Sequence, residues 1–184
     1  MNKAVFLDRD GVLNRKPPEG EYVTRWEELE LLPGVAEATA SLVKAGFLVI
    51  VVSNQRCVSK GLLTVHELES IHQRMRHELA AAGGTITDIY YCPHDTQPPC
   101  GCRKPAPGML LTAAREHEVD LPGSWMIGDS DADVEAGKKA GCRTARILKI
   151  GETAQGGADL FAQSLFDAVQ QILPMTTPLE YVSH

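Results

Sequence analysis

The chain has 184 residues, of which 43% are hydrophobic, so it is long enough to form one domain with a substantial core. Its formal net charge of -6 argues against a general nucleic-acid or membrane-surface binder, because such proteins carry a basic stripe that neutralises phosphates. The apolar run at residues 4–7 ends at Asp8, and no later stretch reaches the length of a membrane span. We therefore expect a single cytosolic domain over residues 1–184.

Strand and helix signals alternate from the beginning of the chain. Residues 4–7 and 47–52 are continuous apolar runs, which are typical of strands in a parallel sheet covered on both faces. Between them, Pro33-Gly34 begins a segment with apolar residues at helical spacing, and Gly46 is placed to end that helix.

The alternation continues through the rest of the chain. Thr64 and Glu67 form a capping-box pattern, which predicts a helix over residues 64–82. The later segments predict strands at 86–91, 125–128 and 144–148, and helices at 107–117, 131–140 and 164–173. This order predicts an α/β fold with a doubly wound, mostly parallel sheet, and we expect residues 174–184 to form a loose tail.

Polar residues follow the predicted strands at the edge where such sheets bind ligands. They are Asp8 and Asp10 after the first strand, Ser53 and Asn54 after the second, Lys104 before the helix at 107–117, and Asp129 and Asp133 after the strand at 125–128. Each of them alone has a structural explanation as a turn residue, a helix cap or a solvated charge. Clustered carboxylates, however, repel one another unless a cation lies among them, and Mg²⁺ prefers oxygen ligands. We therefore predict a Mg²⁺ site that also binds a phosphoryl group.

A second cluster lies in the segment from Cys92 to Cys102. Cys92, His94, Cys100 and Cys102 together suit tetrahedral Zn²⁺ with four protein ligands, which indicates a structural zinc-binding loop over residues 92–104. The alternative is a set of unrelated polar residues, with an adventitious disulfide. The two other cysteines, Cys57 and Cys142, are interpreted as buried side chains without an assigned role.

The ordered segments Val5-Phe-Leu-Asp-Arg-Asp-Gly-Val-Leu13, Ser53, Lys104 and Gly128-Asp-Ser-Asp-Ala-Asp133 resemble the four motifs of the haloacid dehalogenase superfamily of phosphohydrolases. The resemblance implies a phosphatase in which Asp8 is the nucleophile and Asp10 is the general acid and base. It also implies Mg²⁺ ligands at Asp8, Asp129 and the main-chain carbonyl of Asp10, support from Asp133, and phosphoryl binding by Ser53 and Lys104. The interval between Asn14 and Pro33 is too short for the large cap domain of other members.

Cys92-Pro-His94 followed by Cys100-Gly-Cys102-Arg-Lys-Pro resembles a narrower group within that superfamily. It comprises the D-glycero-D-manno-heptose 1,7-bisphosphate phosphatases and the related histidinol-phosphate phosphatases. The stretches Glu21-Tyr-Val23 and Ser53-Asn-Gln55 favour the heptose group, which implies removal of a C7 phosphate in heptose and lipopolysaccharide biosynthesis. The segment Lys16-Pro-Pro-Glu19 keeps the histidinol-phosphate enzyme as an alternative.

The substrate implied by this resemblance is a small phosphorylated metabolite. Arg103 is the expected extra contact, because a guanidinium can hold a sugar oxygen or a second phosphate by two hydrogen bonds, and Asn54 and Gln55 are expected to add others. Arg56-Cys57 departs from the small Ser-Gly pair expected after Gln55. Arg9 and Arg15 are interpreted as solvated charge balance, with contact to a distal phosphate as the alternative, and the histidines on predicted helices receive no function.

Two alternatives from other functional classes are a phospho-accepting signalling receiver and a zinc-organised interaction module. A receiver pairs its acids differently and has no zinc loop, whereas an interaction module leaves the acids of the strand ends unexplained. We therefore expect a monomeric enzyme that binds neither nucleic acid nor membrane.

Overall fold

The computed structural model describes residues 1–176 of the chain. Its strands are β1 (Lys3–Leu7), β2 (Phe47–Asn54), β3 (Asp88–Cys92), β4 (Trp125–Gly128), β5 (Arg143–Ile147) and β6 (Leu160–Ala162). Its α-helices are α1 (Val35–Lys44), α2 (Val65–Ala81), α3 (Gly108–Glu116), α4 (Asp131–Ala140) and α5 (Leu165–Thr176), and Trp26–Glu28 forms a 3₁₀ turn.

The six strands are parallel and hydrogen-bond in the order β3-β2-β1-β4-β5-β6. The doubly wound parallel sheet predicted from the alternation of elements is therefore confirmed. Neither β6 nor the 3₁₀ turn was expected. The helix α5 continues through Pro174 to Thr176, so residues 174–176 are helical and do not belong to a loose tail. The remainder of the predicted tail, residues 177–184, lies outside the described residues.

The sheet has a hydrophobic core on each face, and β1 shows how the sequence divides its side chains. Val5 and Leu7 pack in the larger core, to which α1, α2 and α5 contribute. Ala4 and Phe6 point to the other face, where α3 and α4 pack. Because successive side chains of a strand alternate between faces, a run of four apolar residues fills both cores at once.

Two helix boundaries follow the signals in the sequence. The Thr64 hydroxyl accepts a hydrogen bond from the backbone N–H of Glu67, whose carboxylate accepts one from the backbone N–H of Thr64. Gly46 follows the end of α1 with a φ of 86°, a left-handed conformation that glycine adopts without the penalty of a Cβ atom.

The register of the central strands places the polar residues at one edge. Leu7, the last residue of β1, pairs with Val51 of β2 and with Ile127 of β4. The residues after β1 and β4 therefore leave the sheet side by side at its carboxyl edge, next to the last residues of β2. No helix of the described residues is long and apolar enough to cross a membrane.

Gly137 of α4 lies against the sheet where a side chain does not fit. A Cβ atom at this position would lie 2.7 Å from Met126 Cβ and 2.8 Å from Thr144 Cγ2. We expect Gly137→Ala to lower the free energy of unfolding by about 1–3 kcal/mol, although alanine favours helix, because overpacking outweighs the gain in helix propensity. Urea denaturation measures the change. The control Lys139→Ala, at an exposed position of the same helix, should change it by less than about 0.5 kcal/mol, and equal effects would contradict the packing argument.

Candidate active site

Lys104 is the centre of the polar cluster at the carboxyl edge of the sheet. Its ammonium donates to Asp8 Oδ1 at 2.8 Å, to Asp133 Oδ1 at 2.6 Å and to the main-chain oxygen of Val52 at 2.7 Å. Only 2% of the side chain is exposed. An ammonium has three donors, so each of them has an acceptor, and this buried charge is fully compensated.

Asp8 leaves β1 at this lysine. Its backbone N–H donates to the carbonyl of Ile127 at 3.0 Å, which fixes the turn out of the strand. Burial, together with the charges of Asp133 and Asp10, raises the pKa of Asp8 to about 7 although the Lys104 ammonium opposes the shift. A further cation at the site would therefore stabilise the ionised form of Asp8.

Three carboxylates fit a divalent ion at this position. Oxygen atoms of Asp8, Asp129 and Asp133 lie within 4.8 Å of one another. Gly11 has a φ of 95°, and a Cβ atom there would lie 2.5 Å from Asp129 Oδ2, so the chain passes the carboxylate at a distance that only glycine permits. The donor set consists of hard oxygen ligands, which suits the Mg²⁺ expected from the sequence.

Asp10 lines the same cavity as Asp8 and is bound by three side chains. Arg9 donates to both of its oxygens at 3.0 Å, Asn14 donates to Oδ1 at 2.9 Å, and Gln55 donates to Oδ2 at 3.2 Å. Burial alone would raise the pKa of Asp10, but the charge of Arg9 and these hydrogen bonds hold it below its ordinary value. Asp10 is therefore a carboxylate at neutral pH in this state.

Arg9 has a buried partner that the sequence did not reveal. Only 1% of Arg9 is exposed, and its Nη1 lies 3.2 Å from Nε2 of His72, which is itself 4% exposed. Burial and the charge of Arg9 lower the pKa of His72 to about 3, so the ring is neutral and accepts this hydrogen bond. The interpretation of Arg9 as solvated charge balance is wrong. His72 shares its face of α2 with Leu68 and Met75, and that helical spacing was the signal of its burial.

The residues at the end of β2 and directly after it bind other parts of the site. The Asn54 side chain donates to the main-chain oxygen of Lys104 and accepts from its N–H, both at 3.0 Å. Gln55 donates to Ser53 Oγ at 2.8 Å, and these two residues are 2% and 1% exposed. Asn54 thus fixes the backbone of Lys104, whereas Gln55 donates a hydrogen bond to Asp10. Their direct contact with substrate stays a prediction.

Lys16, to which the sequence assigned no role, lies on the open side of the acids. Its ammonium binds both oxygens of Asp129, at 2.7 and 2.9 Å. Burial alone would lower the pKa of Lys16, but Asp129 raises it above its ordinary value. Lys16 and Asp129 line both a cavity of about 250 Å³ at Asp8 and a neighbouring groove of about 900 Å³. Arg103 lines the smaller cavity.

The Cys/His cluster is compact, and Arg103 and Lys104, which directly follow it in the chain, line this cavity. The three sulfur atoms of Cys92, Cys100 and Cys102 lie 3.2 to 3.6 Å apart, and His94 Nδ1 lies 3.2 Å from Cys102 Sγ. The edges of a tetrahedral site with zinc-thiolate bonds measure about 3.8 Å, and a disulfide bond about 2.05 Å. The spacing therefore suits four ligands of one metal ion, and all five cysteines are free thiols.

Two contacts connect this cluster to the active site, one from the Arg103 backbone to Cys100 and one from Arg56 to Asp95. Burial alone would raise the pKa of the Cys100 thiol, but hydrogen bonds from the Arg103 backbone and the neighbouring thiols lower it to about 6, which favours the thiolate needed for metal binding. Arg56 forms an ion pair of 2.6 Å with Asp95 and so joins the loop after β2 to the cluster. Arg56, which stands where the sequence resemblance led us to expect a small residue, therefore has a defined partner in the structure.

Comparison with known proteins agrees with this geometry. A family model described as HAD-hydrolase-like matches residues 101–165. A D-glycero-beta-D-manno-heptose-1,7-bisphosphate 7-phosphatase from Pseudomonas putida is 39% identical over 82% of this chain and 84% of its own. A D-glycero-D-manno-heptose-1,7-bisphosphate 7-phosphatase from Thermosynechococcus vestitus is 36% identical over 95% and 97%. The chain belongs to the heptose-bisphosphate phosphatase family.

A solved structure of this family has the same fold. The D,D-heptose 1,7-bisphosphate phosphatase from B. bronchiseptica, complexed with magnesium and phosphate, superimposes with a TM-score of 0.85 at 33% identity. The match covers 94% of this chain and 99% of that one. The heptose-bisphosphate phosphatase family and the phosphatase activity expected from the motifs are therefore confirmed.

The contact between His72 and Arg9 predicts a positioning role for the histidine. His72→Leu leaves a buried guanidinium N–H without an acceptor, which costs about 1–3 kcal/mol of the free energy of unfolding. We also expect kcat for an aryl phosphate to fall about tenfold, with KM nearly unchanged, because Arg9 no longer holds Asp10 in place. His72→Gln retains an acceptor and should recover most of kcat. Equal kcat values for the two variants would contradict this role.

Proposed function

We propose that this protein is a Mg²⁺-dependent phosphatase that removes the C7 phosphate of D-glycero-D-manno-heptose 1,7-bisphosphate through an aspartyl-phosphate on Asp8. The observation that carries the proposal is the buried Lys104 ammonium, which binds Asp8 and Asp133 at the carboxyl edge of the sheet. The curated relatives, which carry this enzyme name and match most of the chain, support the substrate.

The reaction has two displacements. In the first, an oxygen of Asp8 attacks the phosphorus, the bond from phosphorus to the C7 oxygen breaks, and Asp10 gives a proton to that oxygen. In the second, water attacks the phosphorus of the aspartyl-phosphate, Asp10 takes a proton from the water, and the bond to Asp8 breaks. Asp10 is ionised in the free enzyme, so its acid role requires that substrate binding loosen its contacts with Arg9, Asn14 and Gln55.

Asp8, Asp129 and the main-chain carbonyl of Asp10 are the proposed ligands of Mg²⁺, which when bound neutralises charge on the transferring phosphoryl group. Asp133 supports the site through Lys104. Lys104 and Ser53 are the proposed phosphoryl-binding residues, and Arg103 is the proposed contact to the rest of the substrate. Because Asn54 holds the Lys104 backbone, the lysine has little freedom to follow a misplaced substrate.

We also propose that Cys92, His94, Cys100 and Cys102 hold a structural Zn²⁺. Four protein ligands close the coordination shell, which leaves no position for catalysis. The metal would fix the loop that ends at Arg103 and Lys104. We propose further that the enzyme is a single domain that acts as a cytosolic monomer.

A substrate panel tests the proposed function. We expect a heptose 1,7-bisphosphate to be hydrolysed with a kcat/KM at least 100-fold above those of an aryl phosphate and of histidinol phosphate, since remote contacts contribute to the transition state. Asp8→Asn should abolish all three activities, because an amide cannot act as the nucleophile. Asp131→Asn, at an exposed carboxylate of α4, is the control and should remain active. A preference for histidinol phosphate would favour the related enzyme, and equal rates would refute the assignment.

Metal analysis tests the zinc proposal. Protein purified without chelator should contain about one zinc per chain, and Cys100→Ser should lose most of it, together with several degrees of the thermal midpoint. Cys142→Ala, which removes a thiol outside the cluster, should keep the zinc. If wild-type protein without zinc had the same thermal midpoint as the zinc-loaded protein, the proposal would be contradicted.

A further inference from the structure

The position of Lys16 points to a role beyond charge balance at the surface. Its ammonium lies in front of both oxygens of Asp129, and 45% of the Lys16 side chain is exposed whereas Asp129 is 5% exposed. The acids at this edge already have Lys104, which is bound to Asp8 and Asp133. Lys16 is thus the cation that compensates Asp129.

The ammonium of Lys16 and a divalent ion compete for the same carboxylate. Lys16 lines the cavity at Asp8 together with Asp129 and Asp133, so its ammonium approaches Asp129 on the face toward that cavity. A Mg²⁺ ion at about 2.1 Å from an Asp129 oxygen on that face would lie within roughly 4 Å of the ammonium, where like charges repel. Asp129 can therefore serve one of the two cations at a time.

When Mg²⁺ displaces the Lys16 ammonium from Asp129, the ammonium remains at the entrance of the cavity. Lys16 lines both the cavity at Asp8 and the larger groove beside it, so its side chain stands where the two meet. The following Pro17-Pro18 restrains the backbone, while the four-carbon side chain can turn. For a bisphosphate with one phosphoryl group at Asp8, the groove that Lys16 also lines is the neighbouring space for the second phosphate.

We propose that Lys16 is an exchangeable cation of the active site, which neutralises Asp129 until Mg²⁺ replaces it and then binds the non-reacting phosphate of the substrate. The second half of this proposal rests on the proposed function, because it requires a substrate with two phosphates. The first half concerns only the protein and the metal.

The first experiment measures Mg²⁺ binding by titration calorimetry without substrate. We expect Lys16→Met to bind Mg²⁺ about two- to fivefold more tightly than the wild type, the range for the loss of one partly exposed ion pair. Lys16→Arg keeps a cation at Asp129 and should bind Mg²⁺ like the wild type. Lys139→Met removes a lysine from the exposed face of α4 and controls for net charge. Unchanged affinity in Lys16→Met, or an equal gain in Lys139→Met, would overturn the competition.

The second experiment measures KM at saturating Mg²⁺. Lys16→Met should raise KM for the heptose bisphosphate about tenfold, the loss expected for one charge-assisted contact, and change KM for an aryl phosphate by less than twofold. Lys16→Arg should recover the bisphosphate KM. Equal changes for both substrates would overturn the phosphate contact. A wild type that fails to hydrolyse the bisphosphate would refute the proposed function and this second half, and the calorimetric result would be unaffected.

Discussion

The compensation of one buried ammonium organises this active site. Lys104 comes from the loop after β3, Asp8 from the end of β1, Asp133 from α4 and the Val52 carbonyl from β2. A lysine that is 2% exposed can remain charged only if all three of its donors are bound, so these four elements must meet. The parallel register of β1 with β2 and β4 brings them to one edge. The fold therefore brings the acceptors of Lys104 together, and the charge of Lys104 in turn holds these elements in place.

Much of this arrangement follows from the sequence because it depends on strand ends. Asp8, Asn54 and Asp129 each follow an apolar run, and parallel strands end at a common edge whatever their order in the sheet. The partners of Asp10 were harder to find. Arg9 reads as a surface charge until the neutral ring of His72, contributed by α2, is known to accept from it. Such pairs depend on packing between elements, which no local pattern encodes.

One error in the secondary structure, the missed strand β6, has the same origin. The strand β6 has only three residues, Leu160–Ala162, too few to show an alternating pattern, and it is a strand because it pairs with β5. The helix α5 continues past Pro174, where the sequence suggested an end. Its buried residues Leu165, Val169 and Ile172 all lie before that proline, so packing in the core accounts for the helix up to Pro174 but not for the turn beyond it.

The two lysines of the site, Lys104 and Lys16, carry the same ammonium group but differ in burial. Lys104 is enclosed and its backbone is held by Asn54, so it can bind a phosphoryl group only in the place where the fold puts it. Lys16 is 45% exposed and has one carboxylate as its partner, so it can leave at a small cost. A fixed cation suits the group that reacts, which must be positioned closely. An exchangeable cation suits the parts of the cycle that change, which are the arrival of the metal and the arrival of the substrate.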